Sequence, residues 1–365
     1  MKKQLTVLRQ AGLVARTVEM IDGTRLLILP HGGRLLGLYA PKRAKNFYWI
    51  NPLLSTVSTT RAFFASKEWH NSGGDRTWLA PEVDIFLPEF PALTRYVQPR
   101  ELDPGRYRVV PTRGGFKIEN ELTLRLARTD EKMRLKLAKW FGPALNPLRG
   151  ERGIDLRKVD YAGYTQSVSL EIVKKDRLQP SPVGLWHLIQ MPLGGELLIP
   201  TFSRTEPRNI FSTKGVIAAR DLLVEDRMVR YRMRQPGEHK ISLRAASVCG
   251  RVAYLSSTGN VWSLVVRNFG INPSGEYVDV PWNEPERTGF AVQACNVNTR
   301  AAKFAELEYH TPAIGGKTGL VRTDDVSQVW AFRGPRGVIM KIAQVLVGYH
   351  PHRPTRRLSR SSIRR

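Results

Sequence analysis

Ile118-Glu119-Asn120-Glu121-Leu122-Thr123-Leu124-Arg125-Leu126 sets apolar residues at alternate positions between polar or charged neighbours. A period of two places Ile118, Leu122, Leu124 and Leu126 on one side of an extended chain, the mark of a half-buried strand. The pattern recurs in Val168, Leu170 and Ile172, and in Val229, Tyr231 and Met233 with Arg230 and Arg232 between them. Turn-forming points lie between such runs: Gly114-Gly115, Pro180-Ser-Pro182, Gly194-Gly195, Pro236-Gly237 and Pro273-Ser-Gly275. Helical periodicity is confined to Thr6–Met20 and to a short basic stretch, Lys132–Phe141. No repeat and no low-complexity linker divides the chain. The pattern predicts an all-β protein, one large antiparallel β domain over residues 1–348, followed by a solvated basic tail over 349–365.

The chain has 365 residues, 42% apolar and 9% aromatic, enough to bury a large core. Its 30 glycines and 24 prolines favour many turns over long helices. The formal charge is +25; the last sixteen residues hold six arginines, and removing them leaves +19. The body is therefore basic in its own right and suits an anionic partner. Nucleic acid is the less favoured partner, because no Lys/Arg stripe with interleaved aromatics appears. No run is long and apolar enough to span a bilayer, and Arg9 and Arg16 interrupt any secretory core, so a cytoplasmic location without membrane association is expected. Cys249 and Cys295 stand 46 positions apart with no partner at metal-ligand spacing, so neither a disulfide framework, a metal nor a cofactor is expected.

Familiar catalytic motifs are missing. Gly316-Lys317-Thr318 has Thr311 where a phosphate-binding loop needs glycine, and neither the nucleophile elbow nor the dinucleotide fingerprint occurs. His31-Gly32-Gly33 fits a turn between two strands.

Three stretches carry chemistry. Trp69-His70-Asn71-Ser72-Gly73-Gly74-Asp75-Arg76-Thr77-Trp78-Leu79-Ala80-Pro81-Glu82 joins a glycine pair, flat indole faces suited to a sugar ring, and the Asp75–Arg76 acceptor and donor. In Leu185-Trp186-His187-Leu188-Ile189-Gln190, alternation sets Trp186, Leu188 and Gln190 on one face and His187 on the other with Leu185 and Ile189, where a core histidine is the competing account. In Lys303-Phe304-Ala305-Glu306-Leu307-Glu308-Tyr309-His310, one face carries Glu306, Glu308 and His310. Repulsion between the two carboxylates would raise one toward a useful base; a solvent-washed polar face would show the same pattern.

Taken in order, these elements resemble the galactose mutarotase-like superfamily. Gly32-Gly33-Arg34-Leu35-Leu36-Gly37 followed by Asn46-Phe47-Tyr48-Trp49-Ile50-Asn51-Pro52 is similar to its first strands, and Gly73–Trp78 lies where hexose-phosphate epimerases carry a Gly-Gly loop. With Tyr277-Val-Asp-Val-Pro-Trp282 and Glu306–Pro312, the match is closer to a bacterial family of unknown function within that superfamily, over roughly residues 20 to 345. The resemblance implies a β supersandwich with a sugar-binding cleft and anomeric epimerisation with Glu308 as base and His187 as acid. It also implies contacts to a sugar or anionic sugar derivative from His70, Asp75, Arg76, Trp78, Glu306 and His310. The Asn-His pair of aldose epimerases is replaced at His187 by Trp186-His187, which leaves a non-catalytic sugar-binding protein as the alternative.

Overall fold

Period-two patterning runs through most of the molecule. The computed structural model describes residues 1–350, and among them nineteen strands pair antiparallel into two sheets. One sheet has the order Arg16–Glu19, Arg25–Leu29, Arg34–Tyr39, Asp75–Ala80, Gly184–Pro192, Lys303–His310, Phe290–Asn298, Gly237–Arg244, Arg208–Ser212. The other runs Leu222–Val224, Met228–Arg232, Glu196–Pro200, Arg251–Thr258, Val261–Phe269, Arg322–Pro335, Asp160–Lys175, Lys132–Pro143, Gly115–Arg125, Arg108–Thr112. The sheets pack face to face: Leu38, Leu185, Ile189 and Leu307 of the first share one core with Leu122, Leu135, Leu170 and Val265 of the second.

Both expected helices change. Lys132–Pro143 is a strand, because Met133, Leu135 and Leu137 are buried while Lys132, Arg134 and Lys136 face solvent, a period of two that the basic side chains obscured. The first helix is Lys2–Gln10; Gly12 takes φ +91 just beyond it, and the chain is already a strand at Arg16–Glu19.

A last helix, Arg336–Val347, covers the outer face of the ten-stranded sheet, laying Ile339, Ile342, Ala343 and Leu346 on Leu198, Leu255, Leu264 and Phe332. Tyr349, which the sequence placed at the start of the tail, is buried beside Arg230, whose guanidinium lies 5.0 Å from the ring centre. The rest of the expected tail, 351–365, lies outside the described residues. No helix among the described residues is long and apolar enough to cross a membrane.

On the nine-stranded sheet the outer face is only partly covered. Helices Lys2–Gln10 and Val57–Ala65 pack over one end. Residues 52–70 leave the sheet and return at one point, where Asn51 N–H donates to Ser72 O at 3.2 Å and Asn51 Nδ2 to Asn71 O at 2.9 Å. Gly73 and Gly74 make that return possible. Both have positive φ, and a Cβ would lie 2.4 Å from Trp49 O at Gly73 and 2.2 Å from Leu35 O at Gly74.

Candidate functional site

Beyond the covered end, the outer face of the nine-stranded sheet forms the floor of a cavity of about 860 Å³. Antiparallel register builds that floor. Glu308 lies opposite Leu188 and Glu306 opposite Gln190, and Leu188 in turn faces Arg76, so residues from three strands point to the same side. Arg76 Nη2 donates to Glu306 Oε1 at 2.9 Å, and Gln190 Nε2 donates to the same oxygen at 2.9 Å. The Arg76 guanidinium lies 4.1 Å from the centre of the Trp78 ring, leaving Nε and Nη1 without partners. Asp103 holds the indoles in place, accepting from Trp69 Nε1 at 3.2 Å and Trp78 Nε1 at 3.1 Å.

Glu308 is the other centre. Its Oε2 accepts from Trp186 Nε1 at 2.7 Å and lies 3.3 Å from Lys240 Nζ, while its buried Oε1 has no hydrogen-bond partner. Burial, with repulsion from Glu306 and Glu82 and against the pull of Lys240, pushes the carboxyl up to about 7. Lys240 bridges Glu308 and Glu82, whose Oε2 is 3.2 Å from Nζ, and sits 4.1 Å from the Trp186 ring centre. Burial alone would pull the ammonium down; Glu308, Glu82 and Asp279 more than reverse it. Glu82 is fixed in turn by Tyr96 OH at 2.7 Å and Trp282 Nε1 at 3.1 Å. Phe211 stacks on Trp282 with ring centres 4.6 Å apart, extending the aromatic wall.

Of the eight residues expected in the site, Arg76, Trp78, Glu306 and Glu308 line the cavity. The other four are elsewhere. His187 lies opposite Tyr309, on the side that faces the second sheet; its ring stacks on Tyr309 at 4.5 Å, and Nδ1 meets Thr77 Oγ1 at 3.1 Å. It is fully buried, and burial with the nearby Arg267 and Lys139 cations lowers its basicity well below the usual imidazole range. Asp75 likewise points between the sheets, where Arg267 Nη1 reaches it at 2.6 Å and Tyr164 OH donates to it. His310 shares the face of Glu308 but is sealed, stacked on Trp186 with ring centres 5.6 Å apart and 3.7 Å from Asp279. His70 packs against Phe63 and Phe64, bonded at 3.0 Å to His31 Nε2. The glycine pair approaches the protein's own backbone, and Gly74 N–H donates to Trp49 O at 3.0 Å.

Lys240, Glu82 and Glu238 were not anticipated. A signal existed for two of them, since Glu238 and Lys240 alternate with buried His239 and Ile241. Cys295 Sγ and one oxygen each of Glu306 and Glu308 lie within 4.8 Å of one another. A metal there would compete with Arg76 and Lys240, which already pair with both carboxylates, and with a thiol that burial keeps protonated.

No protein-family model matches the chain, and no curated protein matches it in sequence. Solved structures are similar at low identity. A galactose mutarotase-like protein from Lactobacillus casei is 10% identical with a TM-score of 0.49, over 87% of this chain and 100% of the other. A galactose mutarotase related enzyme from Lactobacillus acidophilus has the same identity and TM-score over 87% and 97%. Galactose 1-epimerase from Lactobacillus acidophilus is 11% identical with a TM-score of 0.41, over 89% and 95%.

Proposed function

We propose that the cavity binds a sugar or sugar derivative and that Glu308 exchanges a proton with it, interconverting anomers. The observation that carries this reading is a pair of carboxylates, Glu306 and Glu308, side by side under tryptophan walls, with Glu308 poised at about 7 and one of its oxygens unpartnered. Such tuning suits a group that must both take and return a proton near neutrality. In the reaction, the anomeric hydroxyl gives up its proton, the ring oxygen gains one, and the bond between C1 and the ring oxygen breaks. Rotation about C1–C2 and the reverse transfers close the ring on the other face. With His187 turned toward the second sheet, the two transfers fall to the carboxyl pair, one accepting while the other donates; the two sugar oxygens share one carbon and so lie within reach of neighbours on a single strand face.

One observation favours a non-catalytic binding protein instead: no imidazole lines the cavity among the described residues, and Trp186 and Lys240 both hold Glu308 Oε2. Polarimetry on a panel of free sugars separates the two. Catalysis predicts accelerated interconversion that Glu308→Gln lowers by about 10² to 10⁴, with affinity nearly unchanged. Binding without acceleration selects the second reading.

A further inference from the structure

The chain is strongly basic, at +25, yet the side chains facing the cavity have the opposite balance. Five carboxylates, Glu82, Glu238, Glu306, Glu308 and the exposed Glu68, meet two cations, Arg76 and Lys240. Arg76 is committed to Glu306, and Lys240 to Glu82 and Glu308. Among the carboxylates that are not exposed, Glu238 is left over. It lies two residues before Lys240 on strand Gly237–Arg244, hence on the same face, with strand Phe290–Asn298 between it and Glu306. No cation pairs with its half-buried carboxyl among the described residues, and burial together with Glu306 raises it above the usual range. Glu308 Oε1 adds a buried, unpartnered acceptor to the same cavity. The rings of Trp69, Trp78, Trp186, Trp282 and Phe304 line the remaining surface, and the face of an aromatic ring attracts positive charge.

An oxyanion finds little here. Gly74 N–H is spent on Trp49 O, and although Arg76 Nε and Nη1 are unpartnered, the guanidinium charge is balanced by Glu306. We infer that the ligand carries a protonated amine, received between Glu238 and Glu306 under the aromatic wall, so that the sugar is an amino sugar rather than a phosphate or uronate. That it is a sugar rests on the function proposed above; the sign of its charge rests on the cavity alone.

Calorimetry at matched ionic strength and slightly acid pH tests this with galactose, galactosamine and galactose 6-phosphate, the equivalent glucose series, and benzylamine as an aromatic amine that is not a sugar. The amino sugar is expected to bind about tenfold or more tighter than its neutral parent and the phosphate more weakly than either, a difference of one well-placed charge. Glu238→Gln, which keeps the shape and removes the charge, should erase most of that preference, read as the ratio of amino-sugar to neutral-sugar affinity. Equal affinities for amine and parent, or tighter phosphate binding, overturn the inference and leave the sugar reading standing. A preference that survives in Glu238→Gln overturns the placement at Glu238. If no sugar binds but benzylamine does, and Glu238→Gln loses it, the charge inference holds and the sugar reading fails. If nothing binds, both are overturned.

Discussion

Strands Asp75–Ala80, Gly184–Pro192 and Lys303–His310 bury charged groups on both faces, and the two faces use them differently. Toward the second sheet, Asp75 is closed off by Arg267 and Tyr164, with Arg267 also bonded to Gln166. Every member of that group is less than about a tenth exposed, and apolar side chains of both sheets surround it. One residue along the same strand, Arg76 faces the cavity, near carboxylates that outnumber the cations. A matched, enclosed pair contributes specificity to the fold; an unmatched set beside empty volume holds its charges where a ligand can complete them.

The largest expected effect comes from breaking the enclosed pair. Arg267→Met leaves Asp75 buried without its cation and should cost about 3–5 kcal/mol by chemical denaturation. A loss under about 1 kcal/mol would mean that this face tolerates unpaired charge as readily as the cavity does.

Acid should act on the buried histidines and on Glu308 with opposite sign. The His31 imidazole is held down at about 4, by burial and then by His70, so the unfolded chain binds its proton below the ordinary 6.5 while the fold does not. Stability from this group is lost as pH falls from 6.5 toward 4, by about 3 kcal/mol in all, and His187 and His310 act in the same direction. Glu308 does the reverse. Its carboxyl is protonated in the fold below about 7, against 4.5 for an ordinary glutamate, so a fall from pH 7 to 4.5 adds about 3 kcal/mol. Glu308→Gln should therefore lose stability more steeply than wild type over that interval in denaturation curves taken at several pH values. Parallel curves would place Glu308 among ordinary carboxylates.

The smallest effect sharpens the contrast. Thr77→Val removes the hydroxyl at His187 Nδ1 and should cost about 1 kcal/mol, with ligand affinity within about twofold of wild type. A marked change in affinity would couple the inner face to the cavity.

Much of this was legible in the chain. Alternation alone separated Glu306 and Glu308 from Leu307 and Tyr309, and Trp186 and Gln190 from His187. What alternation could not supply was register. His187 pairs with Tyr309; a slip of one residue would have turned it to the side of Glu308, and nothing within either segment distinguishes the two pairings. Lys240 and Glu238 sat in a readable strand pattern, but the contact of Lys240 with Glu82, 158 positions away, depends on sheet order. The glycine pair is a point of close approach. Its neighbour proved to be the carbonyls of Leu35 and Trp49, because only the folded chain brings those strands against it.

The segment 52–70 leaves and rejoins the sheet at a single stapled point, and Thr59, Phe63, Ser66 and Trp69 from it form one side of the cavity. Its two ends are already held together, so a change in its length costs little closure entropy and leaves the ladder that carries Glu306 and Glu308 in register. The shape of one wall and the carboxylates of the floor are thereby written on separable parts of the chain: one continuous stretch can be exchanged while the strands that carry Glu238, Glu306 and Glu308 stay as they are.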